Sequence, residues 1–270
     1  MTKTKVLIAV KTYPTISGKY DELVCTAGFL EDGSWIRIYP VPFRKKEYKE
    51  QYRKYDWVEI ELVKNKSDFR PESYRPYSLE SEIEKIGHLD TAGNWRARKD
   101  IVFKKGVYTD MVKLIAEAKD KNIGTSLATF KPTKIKDFVF KEVDREWDRN
   151  KLEKLKQINI FEKRGERLEV VKKLPYKFSY IFEDEYGKER KMMIEDWETG
   201  QLFWNSLRSS DGDEIKACEK VRQKYLDDLA RTKDLHFFLG TTQLHHFTAP
   251  NPFILIGAFY PKHESQLGLF

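Results

Sequence analysis

Cysteine is scarce in this sequence, and long apolar runs are missing. Only two cysteines, Cys25 and Cys218, occur in 270 residues, which excludes a disulfide scaffold and a zinc site made of four thiolates. No apolar stretch approaches the ~18 residues of a transmembrane helix. The apolar residues 6–10 stop at Lys11 and are too few for the core of a signal peptide. The sequence therefore predicts a soluble cytoplasmic protein that does not bind a membrane.

The glycine pattern excludes several classes of enzyme. The 14 glycines form neither the phosphate-binding loop of nucleotide-hydrolysing motors nor the glycine-rich turn of dinucleotide-binding enzymes. The spacing G-x-S-x-G of a nucleophile elbow is also absent. No motif identifies a catalytic residue, and we expect no cofactor.

Charge and aromatic residues are plentiful but unevenly placed. The chain carries a net charge of +7 and is 14% aromatic. Residues 94–141 hold 12 basic and 5 acidic side chains, whereas residues 192–219 hold 2 basic and 7 acidic ones. A basic segment beside aromatic residues is typical of a protein that binds a phosphate backbone. The alternative is a lysine-rich surface that is simply solvated.

The first half of the chain predicts a small antiparallel β unit. Apolar and alternating runs predict strands at residues 4–10, 20–30, 35–39 and 57–63. The Asp-Gly pair between the second and third of these is typical of a tight hairpin turn. Residues 67–100 contain two Arg-Pro steps and predict a long loop insert, because proline disfavours both helix and central strand.

The second half repeats this order of elements. Alternation predicts strands at residues 176–183, 191–194, 235–239 and 253–260. Between them, residues 213–231 predict an amphipathic helix with Asp211 or Asp213 as its cap. Its apolar stripe contains Ile215, Cys218, Val221, Tyr225 and Leu229.

The fold class that follows is α+β and dominated by β structure. We predict two small OB-like antiparallel β-barrels bridged by helices. The first domain would span residues 1–145, with the insert at 67–100 and a helix. The second would span residues 146–270, with the amphipathic helix and the C-terminal strands. An irregular α+β fold is the alternative.

Several motifs resemble those of the prokaryotic dual OB-containing domain proteins. Residues 25–28 (CTAG) followed by residues 33–37 (GSWIR) are similar to the opening hairpin of that family. Residues 126–135 resemble the connection between its barrels, and residues 176–198 the start of the second barrel. Leu239-Gly240 and the strand after it resemble the closing strands. The resemblance implies a tandem β-barrel fold and nucleic-acid handling in a mobile-element or phage-defence setting, and it implies no catalytic residue.

The first candidate site is one face of the first hairpin. Alternation places Trp35, Arg37 and Tyr39 together, where the rings would stack on bases and the guanidinium would contact phosphate. The alternative is that the rings pack beneath the insert. A second candidate is the proline-stiffened loop with Arg70 and Arg75, whose planar guanidinium groups suit phosphate. Here the alternative is an internal salt bridge with a nearby glutamate.

The third candidate is a cationic loop around a tryptophan. It would clamp a nucleic-acid backbone, or it would be only a solvated loop. Its residues are Trp95, Arg96, Arg98, Lys99, Lys104 and Lys105.

Two adjacent histidines form the last candidate. His245 and His246 would point to opposite faces of an extended segment, which argues against a shared metal ion. We expect no metal site, and a polar contact to a ligand is the preferred interpretation.

Together these features predict a non-catalytic nucleic-acid-binding module whose partner is single-stranded DNA or RNA. One alternative is an enzyme that acts on nucleotides or modified nucleic acid. The other is a protein-interaction subunit of a larger complex, with the acidic residues 192–219 as its docking patch.

Overall fold

A computed structural model describes residues 3–17, 21–150, 152–153 and 170–264. The N-terminal part forms one large sheet with the strand order β6-β7-β4-β3-β1-β5-β8, and β2 pairs with β3 at its side. All pairs are antiparallel except β4 with β7. The strands are β1 (Thr4–Lys11), β2 (Thr15–Ser17), β3 (Asp21–Phe29), β4 (Trp35–Val41), β5 (Asp56–Ile60), β6 (Leu62–Lys64), β7 (Ser73–Pro76) and β8 (Glu84–His88).

The C-terminal part contains two three-stranded antiparallel sheets. One has the order β10-β11-β12 and the other β14-β13-β9. Their strands are β9 (Leu127–Phe130), β10 (Lys134–Glu142), β11 (Tyr176–Glu183), β12 (Glu189–Met193), β13 (His236–Thr241) and β14 (Phe253–Phe259).

Two helices follow β8 in the sequence, and two more separate β12 from β13. They are α1 (Ala92–Val102), α2 (Met111–Lys119), α3 (Trp197–Arg208) and α4 (Glu214–Arg222), which continues as a π-helix over Gln223–Ala230. Short 3₁₀ turns occupy Phe43–Lys45 and Tyr48–Glu50. Within the described part of the chain, no helix is both long and apolar enough to cross a bilayer.

The β-dominated α+β class is confirmed, and the two OB-like barrels are not. Among the described strands, the large sheet runs as an open path from β6 to β8. The prediction of a loop at 67–100 is wrong in part, because β7 and β8 lie within it and α1 begins within it. Proline is tolerated there since Pro76 is the last residue of β7 and Pro71 precedes that strand. The boundary predicted after residue 145 stays a prediction, although β9 and β10 pair with C-terminal strands.

The amphipathic helix is confirmed at α4 and its π-helical continuation. Asp213 caps it by accepting a hydrogen bond from the Lys216 amide, and four of the five stripe residues are buried. Ile215 is the exception at 56% exposure. Ile215 lies in the first turn of the helix, and its side chain is outside the hydrophobic core.

The large sheet is covered on both faces. One face packs Ile36 and Ile38 against Phe43 and Tyr52. The other face packs against the sheet β14-β13-β9, where the ring centroids of Trp35 and Phe238 lie 5.2 Å apart. A strand covered on both faces buries its polar residues with its apolar ones, and this decides the position of Arg37 described below.

Gly28 explains why strands β1 and β3 can approach closely. A Cβ atom at this residue would overlap the carbonyl oxygen of Leu7 on the neighbouring strand. Leu7 lies within the fully buried run of residues 6–10 in β1, so its backbone has little room to move. Glycine is therefore a packing requirement at the end of the CTAG motif.

We expect Gly28→Ala to lower the free energy of unfolding by ~1–3 kcal/mol through overpacking. Gly87→Ala is the matched control, because Gly87 also lies in a strand but a Cβ there would meet nothing nearer than 4.0 Å. Urea unfolding of both variants measures the difference. Equal stability of the two variants would contradict the close-approach explanation.

Candidate nucleic-acid interface

Arg37 and Arg70, predicted to bind phosphate, are buried in the interior. Arg37 is 3% exposed and Arg70 is 6% exposed. Both guanidinium groups donate to the carbonyl oxygen of Thr241 on β13. Arg37 also donates to the Ser126 carbonyl at 3.0 Å, and Arg70 forms an ion pair with Asp68. These two arginines connect the N-terminal and C-terminal sheets, and in this position neither faces a nucleic acid. Arg70 is thus paired internally, but with Asp68 and not with the predicted glutamate, since Glu72 accepts from Ser126.

The other residues of those two candidates are dispersed. Trp35 packs against Phe29, with 4.0 Å between ring centroids, and Tyr39 is half-buried on β4. Arg75 is exposed and donates to the carbonyl oxygens of Pro76 and Tyr77. The hairpin face therefore does not form a surface on which a base could stack between Trp35 and Tyr39.

His246 is also a structural residue. It is fully buried, and burial lowers its pKa, which favours the neutral ring. Its Nδ1 atom accepts from the Thr241 hydroxyl at 2.8 Å, while Nε2 donates to the Ala118 carbonyl at 2.6 Å. Both ring nitrogens are thus occupied, whereas His245 is exposed. Across the described residues there is no cluster of three or more His, Cys, Asp or Glu side chains that could hold a metal ion.

The third candidate divides into two groups. Trp95 and Arg98 line a cavity together. Lys99 instead pairs with Glu264 at 2.6 Å, and Arg96 is exposed. Lys104 and Lys105 are exposed beside the first hairpin turn, where Lys104 donates to the Glu31 carbonyl and Lys105 lies 3.5 Å from Asp32.

Two adjoining cavities form the most distinctive surface of the molecule. The Trp95 cavity, of about 670 Å³, is lined by Tyr55, Trp95, Arg98, Gln201, Asn205 and Tyr260 among others. The Tyr52 cavity, of about 750 Å³, is lined by Phe43, Tyr48, Tyr52 and Lys85 among others. Both are also lined by Lys11, Arg53, His88 and Trp197. We refer to the two cavities together as the basic groove.

The charge of the basic groove is positive. Its carboxylates are Asp56 and Glu198, against which stand five cations. The cations are Lys11, Arg53, Lys54, Lys85 and Arg98. Arg53 is the most open of the described side chains in its loop, with 79% of the side chain exposed.

Lys11 lies at the centre of the groove inside an aromatic cage. Its Nζ atom is 4.1 Å from the ring centroid of Phe43, 5.1 Å from that of Trp197 and 5.7 Å from that of Tyr52. The same atom donates to the Tyr52 carbonyl oxygen. Burial lowers the pKa of Lys11 from 10.5 to about 8, and Glu198 opposes this shift. Lys11 is the last residue of β1 and is itself buried, so the strand fixes where its side chain enters the groove.

Lys54 fixes helix α3 against the large sheet. Its ammonium contacts Asp196 at 2.9 Å and Glu198 at 2.8 Å. Burial opposes the charge on Lys54, but Asp196 and Glu198 together raise its pKa above the usual range. Burial raises the pKa of Asp196 to about 6. Asp196 is also the N-cap of α3, so this ion pair places Trp197, the first residue of the helix, at the groove.

The wall around Trp95 has an unusual backbone. Gly93, Asn94 and Trp95 all have left-handed conformations, with φ between 54° and 64°, and Tyr55 has φ of 67°. Non-glycine residues adopt this conformation at a cost, and such residues cluster at functional sites. The Asn94 amide holds the turn by bonding both the N–H and the C=O of Lys262.

Arg98 and Tyr55 complete this wall. The guanidinium carbon of Arg98 stacks 3.8 Å from the ring centroid of Tyr55 and 4.7 Å from that of Trp95. Two of its nitrogens donate to the Leu89 carbonyl. The buried Tyr55 hydroxyl has no hydrogen-bond partner among the described residues.

Sequence reasoning found Trp95 and Arg98 but missed most of the groove. The missed residues include Lys11, Tyr48, Arg53 and Trp197. A signal was present at residues 43–57, where aromatic residues alternate with six lysines and arginines. The composition of such a segment does not show which way its side chains face, so it does not by itself predict a groove.

Two family matches cover most of the chain. Residues 2–104 match a family described as domain of unknown function DUF8758. Residues 107–270 match one described as domain of unknown function DUF8757. The chain belongs to the DUF8757 family. The resemblance to dual OB-containing domain proteins, and the setting that it implies, are not tested by these matches and stay predictions.

Comparison with other proteins adds little. Curated proteins give no sequence match. A solved structure described as a murine DNA-binding protein bound with double-stranded DNA matches over 98% of each chain, at 10% identity and a TM-score of 0.34. A TM-score this low does not establish a shared fold.

The lowered pKa of Lys11 predicts a specific pH dependence of stability. Below pH 8 the lysine is charged in both the folded and the unfolded chain, so the full penalty of burying it is present. Between pH 8 and about 10.5 the folded chain binds fewer protons than the unfolded chain, and stability rises with pH. We therefore expect the free energy of unfolding of the wild type to rise with pH relative to that of Lys11→Met over this interval. Urea unfolding of both proteins at several pH values measures the difference. A constant difference from pH 7 to 10.5 would contradict the lowered pKa.

Proposed function

We propose that the basic groove binds single-stranded nucleic acid. The observation that carries the proposal is the combination, in two adjoining cavities, of five cations with aromatic rings from several elements. Proteins that bind single strands use this combination, because cations follow the phosphate backbone while rings stack on the bases. The proposal is of a binding module, and it applies to DNA and RNA alike.

The aromatic residues favour an unpaired strand. A ring can stack on the face of a base only when that face is not already covered within a duplex. Tyr48 is 89% exposed at the edge of the Tyr52 cavity, with the Lys85 ammonium 6.0 Å from its ring centroid. Trp95, Trp197 and Tyr260 are half-buried further along the groove. These rings would contact successive bases of an extended strand.

The cations have different tasks. Lys54 is held by two carboxylates and is not available to a phosphate. Arg53 and Lys85 are exposed, and their polar contacts are long. Arg53 lies 3.9 Å from Asp56, and Lys85 donates to the Gln51 carbonyl at 3.4 Å. Weak contacts of this kind are readily exchanged for a phosphate. We therefore assign the phosphate contacts of the groove first to Arg53 and Lys85.

We expect the double variant Arg53→Ala/Lys85→Ala to bind a labelled single strand more weakly and with less dependence on salt. Each phosphate contact to a single strand contributes ~0.7 to the slope of log K against log salt, so the slope should fall by about 1.4. Fluorescence anisotropy between ~50 and ~200 mM salt measures both quantities. Single-stranded DNA, single-stranded RNA and duplex DNA are compared in parallel.

The control for this experiment is Lys104→Ala/Lys105→Ala. It removes the same charge from exposed residues beside the first hairpin turn, outside the groove. The proposal fails if the two double variants lose affinity equally, or if the wild type binds none of the three nucleic acids.

Tyr48→Ala separates stacking from charge. One stacked base contributes ~1–3 kcal/mol, so we expect a loss of at least about fivefold in affinity for a single strand, with an unchanged salt slope. Tyr186→Ala is the control, because Tyr186 is 70% exposed and does not line the groove. If Tyr48→Ala changes the slope and not the affinity at low salt, the ring does not stack on a base.

A further inference from the structure

The Trp95 cavity differs from the rest of the groove in the chemistry of its wall. Besides aromatic rings, it presents the amides of Gln201 and Asn205 on helix α3. Residues four apart in a helix lie on the same face, and both side chains are exposed. An amide carries a donor and an acceptor side by side, which is the pattern needed to bond the edge of a nucleobase. Gln201 presents both groups, whereas the Asn205 oxygen accepts from the Arg208 guanidinium, so Asn205 contributes its amino group as a donor.

The cavity also has a suitable size and a well-held shape. Its volume of about 670 Å³ falls within the range of sites for small ligands. The Trp95 ring contacts the rings of Tyr55, Phe259 and Tyr260 at centroid distances of 5.7, 5.1 and 5.0 Å. A ring fixed in this way loses little freedom when a ligand stacks on it, because its rotamer is already set.

The Arg53 guanidinium lies where the two cavities meet. Arg53 lines both of them and is largely exposed. A phosphate bound there would belong to a strand in the Tyr52 cavity and would leave its base next to the Trp95 cavity.

We infer that the Trp95 cavity holds one unpaired nucleotide, with its base against the aromatic wall and its edge on the amides of Gln201 and Asn205. This inference deepens the proposed function and rests on it. The ligand class is a nucleoside monophosphate unit, either free or as part of a strand. The amide pair would supply directional bonds to the base, and the rings would supply stacking that is common to all bases.

The test uses the four nucleoside 5′-monophosphates as probes, with ribose 5-phosphate as the probe that lacks a base. Saturation-transfer NMR detects the bound base protons, and titration gives the affinity. We expect the best nucleotide to bind the wild type about tenfold more tightly than ribose 5-phosphate, as one stacked and bonded base would provide. Gln201→Ala/Asn205→Ala should weaken binding of that nucleotide and reduce its preference over the other three, while stacking on the aromatic wall keeps part of the difference from ribose 5-phosphate.

Two exposed amides elsewhere provide the control. Asn122→Ala/Gln243→Ala removes the same groups from loops outside the groove, and it should leave nucleotide binding unchanged. Because all four amide residues are exposed, both double variants are expected to fold, and thermal unfolding checks this. The inference is overturned if ribose 5-phosphate binds as well as the nucleotides, or if Gln201→Ala/Asn205→Ala binds nucleotides as the wild type does.

The strand-binding measurement distinguishes the two proposals. If a single strand binds through Arg53 and Lys85 while no nucleotide prefers the Trp95 cavity, the inference alone fails. If nucleotides bind through Gln201 and Asn205 while no strand binds, strand binding fails as the function and the cavity remains a nucleotide site.

Discussion

Two guanidinium groups on one carbonyl oxygen hold the two halves of this protein together. Arg37 lies on β4 of the N-terminal sheet and Arg70 in the loop between β6 and β7, and both donate to the carbonyl oxygen of Thr241 on β13. Glu72 completes the connection by accepting from the amide and the hydroxyl of Ser126. Buried charges are tolerated only when they are paired and hydrogen-bonded. Arg70 meets both conditions through Asp68 and Thr241, whereas Arg37 is held by two carbonyl oxygens, and its buried Nε atom has no hydrogen-bond partner among the described residues. Separating the sheets would take the Thr241 acceptor away from both guanidinium groups.

That arrangement creates the basic groove. The groove has one wall from the large sheet and the loop with Arg53, another from α1, and a third from α3. Lys54 ties the second half to the first through Asp196 and Glu198. Gly200 lets α3 lie directly against Tyr13, where a Cβ atom would overlap the ring. The groove is thus a product of how the halves meet, and neither half contains it alone.

Local pattern predicted most of the strands and the long helix, because alternation and apolar spacing depend on neighbouring residues. It failed for Arg37 and Arg70, since alternation shows that a residue shares a face with others and does not show what covers that face. It identified Trp95 and Arg98 from the charged residues around them. It did not predict the left-handed backbone at Asn94 and Trp95, where the Asn94 side chain bonds Lys262 far along the chain. Lys11 and Trp197 carried no local signal, because the elements around them are brought together only by the fold.

The contact between Asn94 and Lys262 also determines which residues are free to vary. The Asn94 side chain bonds only backbone atoms of residue 262, and asparagine tolerates the left-handed conformation better than most residues. The side chain at 262 is therefore under no constraint from this contact, whereas the one at 94 is under two. Among relatives that keep the cavity, substitutions should accumulate at residue 262, whereas residue 94 should remain asparagine, because aspartate lacks the donor and glycine lacks both groups.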